Sequence, residues 1–279
     1  MHDRIVKLGK GSIIQHGKYN DRIYLMKLSP NDVPEITDTI QQIAVEYNYS
    51  KIFGKVPSRF APYFISKGYL TEAIIPGFFK GKENAFFMSK FLNSDRLLDL
   101  ESAEMEILSN ILQQLPEKVI TEKKNKSLFK IHRLQKEDVP ELTELYKKVF
   151  DSYPFPIHNP DYILETMKSD VQYYGIRIQN KLVAASSAET DRDDQNAELT
   201  DFATDNQYRG KRLSTILLKT MEKSMKKEGI RTVYTIARSK SPAMNKTFLR
   251  DGYQYGGTLI KNTNISGSIE SMNVHYKAM

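Results

Sequence analysis

The chain has no cysteine and no tryptophan. Without cysteine there is no disulfide framework, no Cys-ligated zinc, no iron–sulfur cluster and no thiol nucleophile. A reducing compartment costs such a chain nothing, so a cytoplasmic location is expected. Long apolar runs are also missing. Stretches such as residues 85–88 fall far short of the roughly 20 residues that span a bilayer, and the first residues lack an apolar signal core. No membrane partner is expected. The histidines, His2, His16, His132, His158 and His275, show no metal-ligand spacing, and there is neither a P-loop nor a G-x-G-x-x-G, so no metal is expected.

What remains is 279 residues, enough for one large or two modest domains, with two expected. Lys and Arg number 41 against 34 Asp and Glu, a net charge of +7. That excess fits nucleic acid, an anionic cofactor or a solvated surface, and the placement of the charges has to decide.

Periodicity divides the chain. Residues 12–16 and 22–28 read as a hairpin, 30–47 as an amphipathic helix, 50–56 as a strand stopped by Pro57, and 59–67 as a helix closed by Gly68. Strands over 70–75 and 85–91 and a helix over 101–115 follow, and residues 116–127, rich in Lys and Glu, read as a linker. The second part reads strand (129–134), helix (139–151), a Pro-broken loop, helix (161–169), and strands over 172–178, 182–190 and 198–204. A long helix (213–228), a strand (232–237), a helix (242–250) and a final strand pair complete it. The order predicts an α/β protein of the α+β type, with domains at 1–122 and 128–279.

A repeat lies across that division. Pro57, a helix, Gly68-Tyr69 and a strand in the first part match Pro242, a helix, Gly252-Tyr253 and a strand in the second. The N-terminal domain is therefore expected to echo the C-terminal half of the second in degenerate form.

Chemistry concentrates where a strand ends and a helix begins, at Phe202, Ala203, Thr204 and then Gln207-Tyr208-Arg209-Gly210-Lys211-Arg212-Leu213-Ser214. The first turn of a helix offers unpaired N–H groups and the positive end of its dipole, Gly210 permits close approach, and Arg209, Lys211 and Arg212 add charge. This is an expected anion site.

Residues 128–279 resemble the GNAT acyltransferase superfamily, whose acyl-CoA signature is Gln/Arg-x-x-Gly-x-Gly/Ala between the fourth strand and third helix. Gln207 and Gly210 match it, and Arg212 replaces the final glycine or alanine. An Arg with negative φ would still present its N–H there, whereas a need for φ > 0 at that position would weaken binding. The resemblance implies a mixed, mostly antiparallel central sheet and acetyl-CoA as co-substrate, with a backbone N–H near Phe202 or Ala203 facing the oxyanion. Ser241 and Asn245 are assigned to the pantetheine arm, although Ser241 also fits a helix cap. Many members protonate the leaving thiolate with a tyrosine four residues before the Gly-Phe/Tyr pair. Phe248 occupies that position here, which leaves Tyr253, another nearby tyrosine, or solvent.

A narrower resemblance spans nearly the whole chain. His16-Gly-Lys-Tyr-Asn-Asp-Arg-Ile-Tyr-Leu-Met-Lys27, Tyr153-Pro-Phe-Pro-Ile157, Tyr234-Thr-Ile-Ala-Arg238, Gly256-Gly-Thr-Leu-Ile-Lys-Asn-Thr-Asn-Ile265 and Ser271-Met-Asn-Val-His-Tyr-Lys277 are similar to the β-lysine N-acetyltransferases. It implies β-lysine as acceptor and Nε-acetyl-β-lysine, a compatible solute used in osmoadaptation, as product.

The residues can be tested against that reaction. A lysine-type amine, with a pKa near 10.4, must lose a proton before it attacks a thioester. Glu189, Asp191, Asp193, Asp194, Glu198 and Asp201 crowd the strand expected to carry the acyl group, in a protein that is basic overall. Strict alternation puts Glu198, Thr200 and Phe202 on one face and Leu199, Asp201 and Ala203 on the other. Glu198 is expected as general base, with Asp201 second, and Glu189 as a contact for the ammonium. Asp191, Asp193 and Asp194 read as a solvated turn. Tyr153 and Phe155, stiffened by two prolines, make an apolar wall for a methylene chain. Nucleic acid is not expected as a partner and a homodimer is left open. Within the enzyme class the alternative acceptor is a polyamine or a protein lysine; a non-catalytic acyl-CoA sensor or nucleic-acid-binding module is the competing class, and the acids beside the acyl site argue against it.

Overall fold

The computed structural model describes residues 3–98, 102–113, 129 and 131–279. The first strands are β1 (Arg4–Leu8), β2 (Ser12–Gly17) and β3 (Arg22–Lys27), followed by helix α1 (Ile36–Glu46), β4 (Lys51–Pro57), helix α2 (Ala61–Ser66), and the hairpin β5 (Leu70–Phe79) and β6 (Glu83–Phe91). Helices α3 (Ser94–Leu98) and α4 (Ser102–Gln113) come next. The second part is β7 (Ile131–Arg133), α5 (Val139–Val149), α6 (Pro160–Lys168), β8 (Val171–Ile178), β9 (Lys181–Asp191), β10 (Asn196–Thr204), α7 (Leu213–Lys227), β11 (Thr232–Arg238), α8 (Pro242–Arg250), β12 (Gln254–Ile265) and β13 (Ser268–Ala278). The expected linker at 116–127 lies outside the described residues. No helix among the described residues is long and apolar enough to cross a membrane.

Local sequence explains most of these elements. Helix α7 buries Leu213, Leu217, Leu218, Met221 and Met225, a stripe at helical spacing. The helix expected from residue 30 begins only at Ile36. Pro34 has no N–H to donate and pushes Val33 into extended backbone at φ −86° and ψ 131°.

Among the described residues all thirteen strands form one sheet, in the order β1-β2-β3-β4-β6-β5-β12-β13-β11-β10-β9-β8-β7. The repeat is more extensive than the sequence suggests. β1-β2-β3-α1-β4-α2-β5-β6 and β8-β9-β10-α7-β11-α8-β12-β13 share element order and strand order. They also share strand sense: antiparallel pairs throughout, except for parallel β3/β4 and β10/β11. The echo therefore includes the three leading strands, whose sequences have drifted too far to show it.

The matching turns agree in detail. Gly68 and Gly252 take φ +84° and +88°, and the following tyrosine N–H bonds to the Phe64 or Phe248 carbonyl at 3.1 Å in each copy. Each tyrosine then packs edge-on against that same phenylalanine. The copies meet where equivalent strands β5 and β12 pair antiparallel at Ala73 and Gly257, an approximate twofold junction within one chain.

Helices α1 and α2 cover one face of the N-terminal strands through Ile14, Ile23, Leu25, Ile52 and Val56. The opposite face carries Tyr24, Phe53, Phe78 and Phe87, which cluster with Tyr234 of the second copy. Six places separate β3 from β11 in the strand order, about 29 Å across a flat sheet. Yet the Lys55 ammonium lies 5.7 Å from both the Tyr24 and the Tyr234 ring centres. The sheet is curled, and its concave face closes on a cavity.

Candidate active site

β10 and β11 pair only from Asn196 with Thr232 to Glu198 with Tyr234, then separate. Beyond that point the β10 edge facing β11 is free to bind something else. On its other side β10 bulges against β9 between Thr200 and Ala203, with Asp201 at φ +54°. The bulge overturns the expected alternation. Leu199 and Phe202 pack toward the α7 core, whereas Ala203 joins the α5 side. Asp201 accordingly turns toward Tyr153 and Ser187, and lines the cavity together with Glu198 and Thr200.

That cavity has a volume of about 1280 Å³ and joins two chemically opposite regions. At one, the chain makes two left-handed steps, Gly210 at φ +80° and Arg212 at φ +58°, before α7 starts at Leu213. Of the two conformations left open for Arg212, negative and positive φ, the chain adopts the positive one. A left-handed non-glycine residue costs roughly 1–2 kcal/mol, and here the turn brings the first N–H groups of the helix to the cavity. Arg209, Gly210, Arg212, Leu213 and Ser214 all line it. Asp205 anchors the turn by accepting from the Gln207 N–H at 3.1 Å and from the Lys148 ammonium at 2.7 Å.

At the other region Glu189 and Glu198 stand directly opposite each other on β9 and β10, with Asp201 close by. Burial raises Glu198 to about 7, against the opposing pull of the Lys55 ammonium and the Tyr234 hydroxyl. Enclosure by protein, with Glu198 and Asp201 adjacent, also raises Glu189, which faces the water-accessible interior of the cavity. Asp201 is buried and accepts from the Tyr153 hydroxyl and, at 2.6 Å, from the Ser187 hydroxyl. Each of its oxygens accepts a hydroxyl, so it fixes the Tyr153 wall. Asp191 and Asp194 flank the hairpin turn and reach the cavity rim, with Asp191 3.8 Å from the Lys27 ammonium.

The remaining expected residues separate into two groups. Phe202, Thr204, Tyr208, Ser241, Tyr153 and Phe155 line the cavity. Ser241 makes no side-chain cap bond, which removes the capping explanation for it. Ala203 is fully buried, and Gln207 and Lys211 are exposed outside the lining.

Asn245 is absent from the lining and fully buried. Its amide donates to the Arg238 and Ser241 carbonyls, and its oxygen accepts from Asn273 and faces His275 Nε2 at 2.8 Å. No valence is left for a pantetheine arm, so Asn245 is a structural residue. Tyr253 is likewise corrected from general acid to core. It is 4% exposed, does not line the cavity, and repeats what Tyr69 does in the other copy.

His275, beside Asn245, is held neutral by burial, its pKa lowered to about 4. Between pH 6.5 and 4 the unfolded chain therefore binds a proton that the folded chain refuses. The contribution of His275 to stability should fall by about 3 kcal/mol as pH drops through that window and level off below it. In urea unfolding from pH 7 to pH 4 the native protein should lose that much stability relative to His275→Asn, because the raised carboxylates Glu198 and Glu189 titrate alike in both and cancel from the difference. Parallel slopes would remove His275 as the cause.

Sequence reasoning missed the contribution of the N-terminal copy. Arg22, Tyr24, Phe53, Lys55 and Phe78 all line the cavity. Lys55 bonds the Tyr234 hydroxyl at 3.2 Å, and although burial acts to lower it, Tyr234, Tyr24 and Glu198 outweigh that effect and keep it charged. A signal was available: Arg22 alternates with Ile23, and Lys51 and Lys55 with Ile52 and Val56, which puts cations on the strand face opposite the helices.

Two parallel strands that separate beside a donor-rich, basic turn opening a helix define an acetyltransferase of the GNAT class. The profile described as "Acetyltransferase (GNAT) family" matches residues 137–253. Similarity to individual proteins extends much further. The Beta-lysine N(6)-acetyltransferase of Methanococcus maripaludis is 41% identical over 99% of this chain and 98% of its own. That of Methanosarcina mazei is 30% identical over 86% and 95%, and N-acetyltransferase YodP of Bacillus subtilis is 30% identical over 97% of each. The chain belongs to the β-lysine N(6)-acetyltransferase family.

Proposed function

We propose that the protein transfers the acetyl group of acetyl-CoA to the terminal amine of β-lysine. The observation that carries this reading is a single cavity that joins an anion-binding turn to a wall of carboxylates. The relatives supply the acceptor's name.

The residues fit the donor. The N–H groups at Gly210 to Ser214 and the Arg209 and Arg212 side chains suit a pyrophosphate, and the unpaired edge of β10 suits the amide-bearing arm. Acetyl-CoA brings a thioester carbonyl activated toward amines. Glu198, poised near neutrality, takes a proton from the acceptor ammonium directly or through water, while Tyr153 and Phe155 confine the methylene chain. Backbone N–H groups around Phe202 and Ala203 face the charge that develops on the carbonyl oxygen. The C–N bond forms, the C–S bond breaks, and the thiol leaves with a proton. With no cysteine, transfer is direct within a ternary complex.

Acetylation removes one positive charge and turns a cationic diamino acid into a net-neutral zwitterion, the property a compatible solute in the cytoplasm needs. The repeated topology supports units at 1–122 and 128–279, the second carrying the donor site and the first walling the acceptor site. Purified protein supplied with acetyl-CoA and β-lysine should release CoA and give a monoacetylated product by mass. Turnover with another amine but not with β-lysine would keep the enzyme class and discard the acceptor.

A further inference from the structure

Arg22 opens β3, opposite Lys51 of β4, and is 3% exposed in the cavity wall. Its Nη1 donates to the Asn262 carbonyl and to the Thr263 hydroxyl, both neutral. Its Nε has no acceptor, and among the described residues no carboxylate pairs with it. Burial and the neighbouring Arg96 lower it only to about 10, so it stays cationic. The nearby cations are handled differently: Lys51 pairs with Glu72 at 2.8 Å and Arg96 with Asp21 at 3.7 Å. A buried guanidinium without an acid is costly, and it is retained where a ligand brings the missing charge.

Its position suits one ligand chemistry. Arg22 and Lys55 sit 5.4 and 5.7 Å from the centre of the same Tyr24 ring, and Lys55 bonds the Tyr234 hydroxyl beside Glu198. From the base to Arg22 the cavity thus follows an aromatic wall of Tyr24 and Phe53, the surface a short methylene chain needs. Asn262 lines the cavity beside Arg22, and its Oδ1 is buried without a donor, an acceptor ready for an ammonium next to a carboxylate. We infer that Arg22, supplied by the N-terminal copy, binds the carboxylate of a diamino acid whose far amine lies at Glu198, and so excludes plain diamines. This deepens the acceptor reading above and rests on it.

The test compares β-lysine with 1,5-diaminopentane, which keeps a terminal amine on a similar chain and lacks the carboxylate. Native protein should favour β-lysine by about 100-fold in kcat/KM, the size of a charge-assisted bidentate contact. Arg22→Met should lose that preference through KM for β-lysine and leave the diamine within about threefold, while Arg22→Lys keeps part of it. Arg22→Met should melt no lower than the native protein, because it removes an unpaired buried charge. If the Met variant does not fold, the Lys variant decides: a raised KM for β-lysine alone supports the inference, and an unchanged KM overturns it. Equal losses on both amines overturn it as well. Native protein that acetylates both amines equally overturns this inference alone, and native protein that acetylates neither overturns the acceptor reading with it.

Discussion

Glu198→Gln should lower kcat/KM for β-lysine by about 10²- to 10³-fold at pH 7 with little change in KM for acetyl-CoA, the usual worth of a positioned general base. The argument is electrostatic. Glu198 is enclosed, which favours its neutral form, but Lys55 and the Tyr234 hydroxyl hold it back to about 7, so near neutral pH it is ionised in part and still basic enough to accept a proton. The acceptor amine, with a reference pKa near 10.4, arrives protonated. The native pH profile of kcat/KM should rise to about pH 7 as Glu198 ionises and then run flat until the amine itself titrates. In the Gln variant the limb near 7 should vanish. The rate should climb instead with the free-amine fraction, so that the gap to the native enzyme narrows toward pH 10. A Gln variant within threefold of native, or one that keeps the limb, would assign the base elsewhere.

How far the site can be read from sequence follows from which forces build it. The proposed donor turn is legible because it is local: a glycine, flanking cations and a helix start lie within eight residues, and its anion-binding groups are backbone N–H groups. The acid cluster is legible because Glu189 and Glu198 belong to one hairpin, where a cross-strand register brings them together. The role of Asp201 is not legible, because alternation assumes an unbroken pleat and the bulge at Thr200 to Ala203 breaks it. Asn245 looks like a helix-start residue facing a ligand, and its partners, Asn273 and His275, lie on a strand some thirty residues away. Tyr253 could have been read correctly, since Gly68-Tyr69 repeats its setting in a half of the chain with no counterpart of the basic donor turn. The corresponding link there, between β3 and α1, carries Pro30, Pro34 and the carboxylate of Asp32, which the Lys10 and Ser12 N–H groups already occupy. Least legible of all is the part of the cavity lining made by Arg22, Tyr24 and Lys55, because it depends on how far the sheet curls.

That curl turns on the junction of the two copies, and Gly257→Ala should break it. Gly257 pairs with Ala73 across the join at φ +143°, a conformation strained for any residue with a side chain. A Cβ built there lies 2.1 Å from the Glu72 carbonyl oxygen and 2.6 Å from the Ala73 Cα, both backbone atoms that no rotamer change can move. Relief would require β5 and β12 to separate. Glu72 cannot follow easily, since its carboxylate also accepts from the Lys51 ammonium at 2.8 Å and from the Ile260 N–H at 2.7 Å, while Lys51 donates to the Ile260 carbonyl at 2.7 Å. Separating the strands would strand these buried charges as well as the sheet bonds, so a loss above about 4 kcal/mol is expected, seen as insoluble protein or a far lower urea midpoint. Gly267→Ala provides the comparison. Its φ is +83° with nothing within 4 Å of the new Cβ, so only the backbone penalty of about 1–2 kcal/mol applies. If the two variants unfold at similar urea concentrations, the junction is not what holds the copies together. Any Gly257→Ala protein that stays soluble should still bind acetyl-CoA, since the turn proposed for it lies wholly in the second copy, and should lose discrimination at the acceptor end, where the displaced first copy supplies the proposed wall.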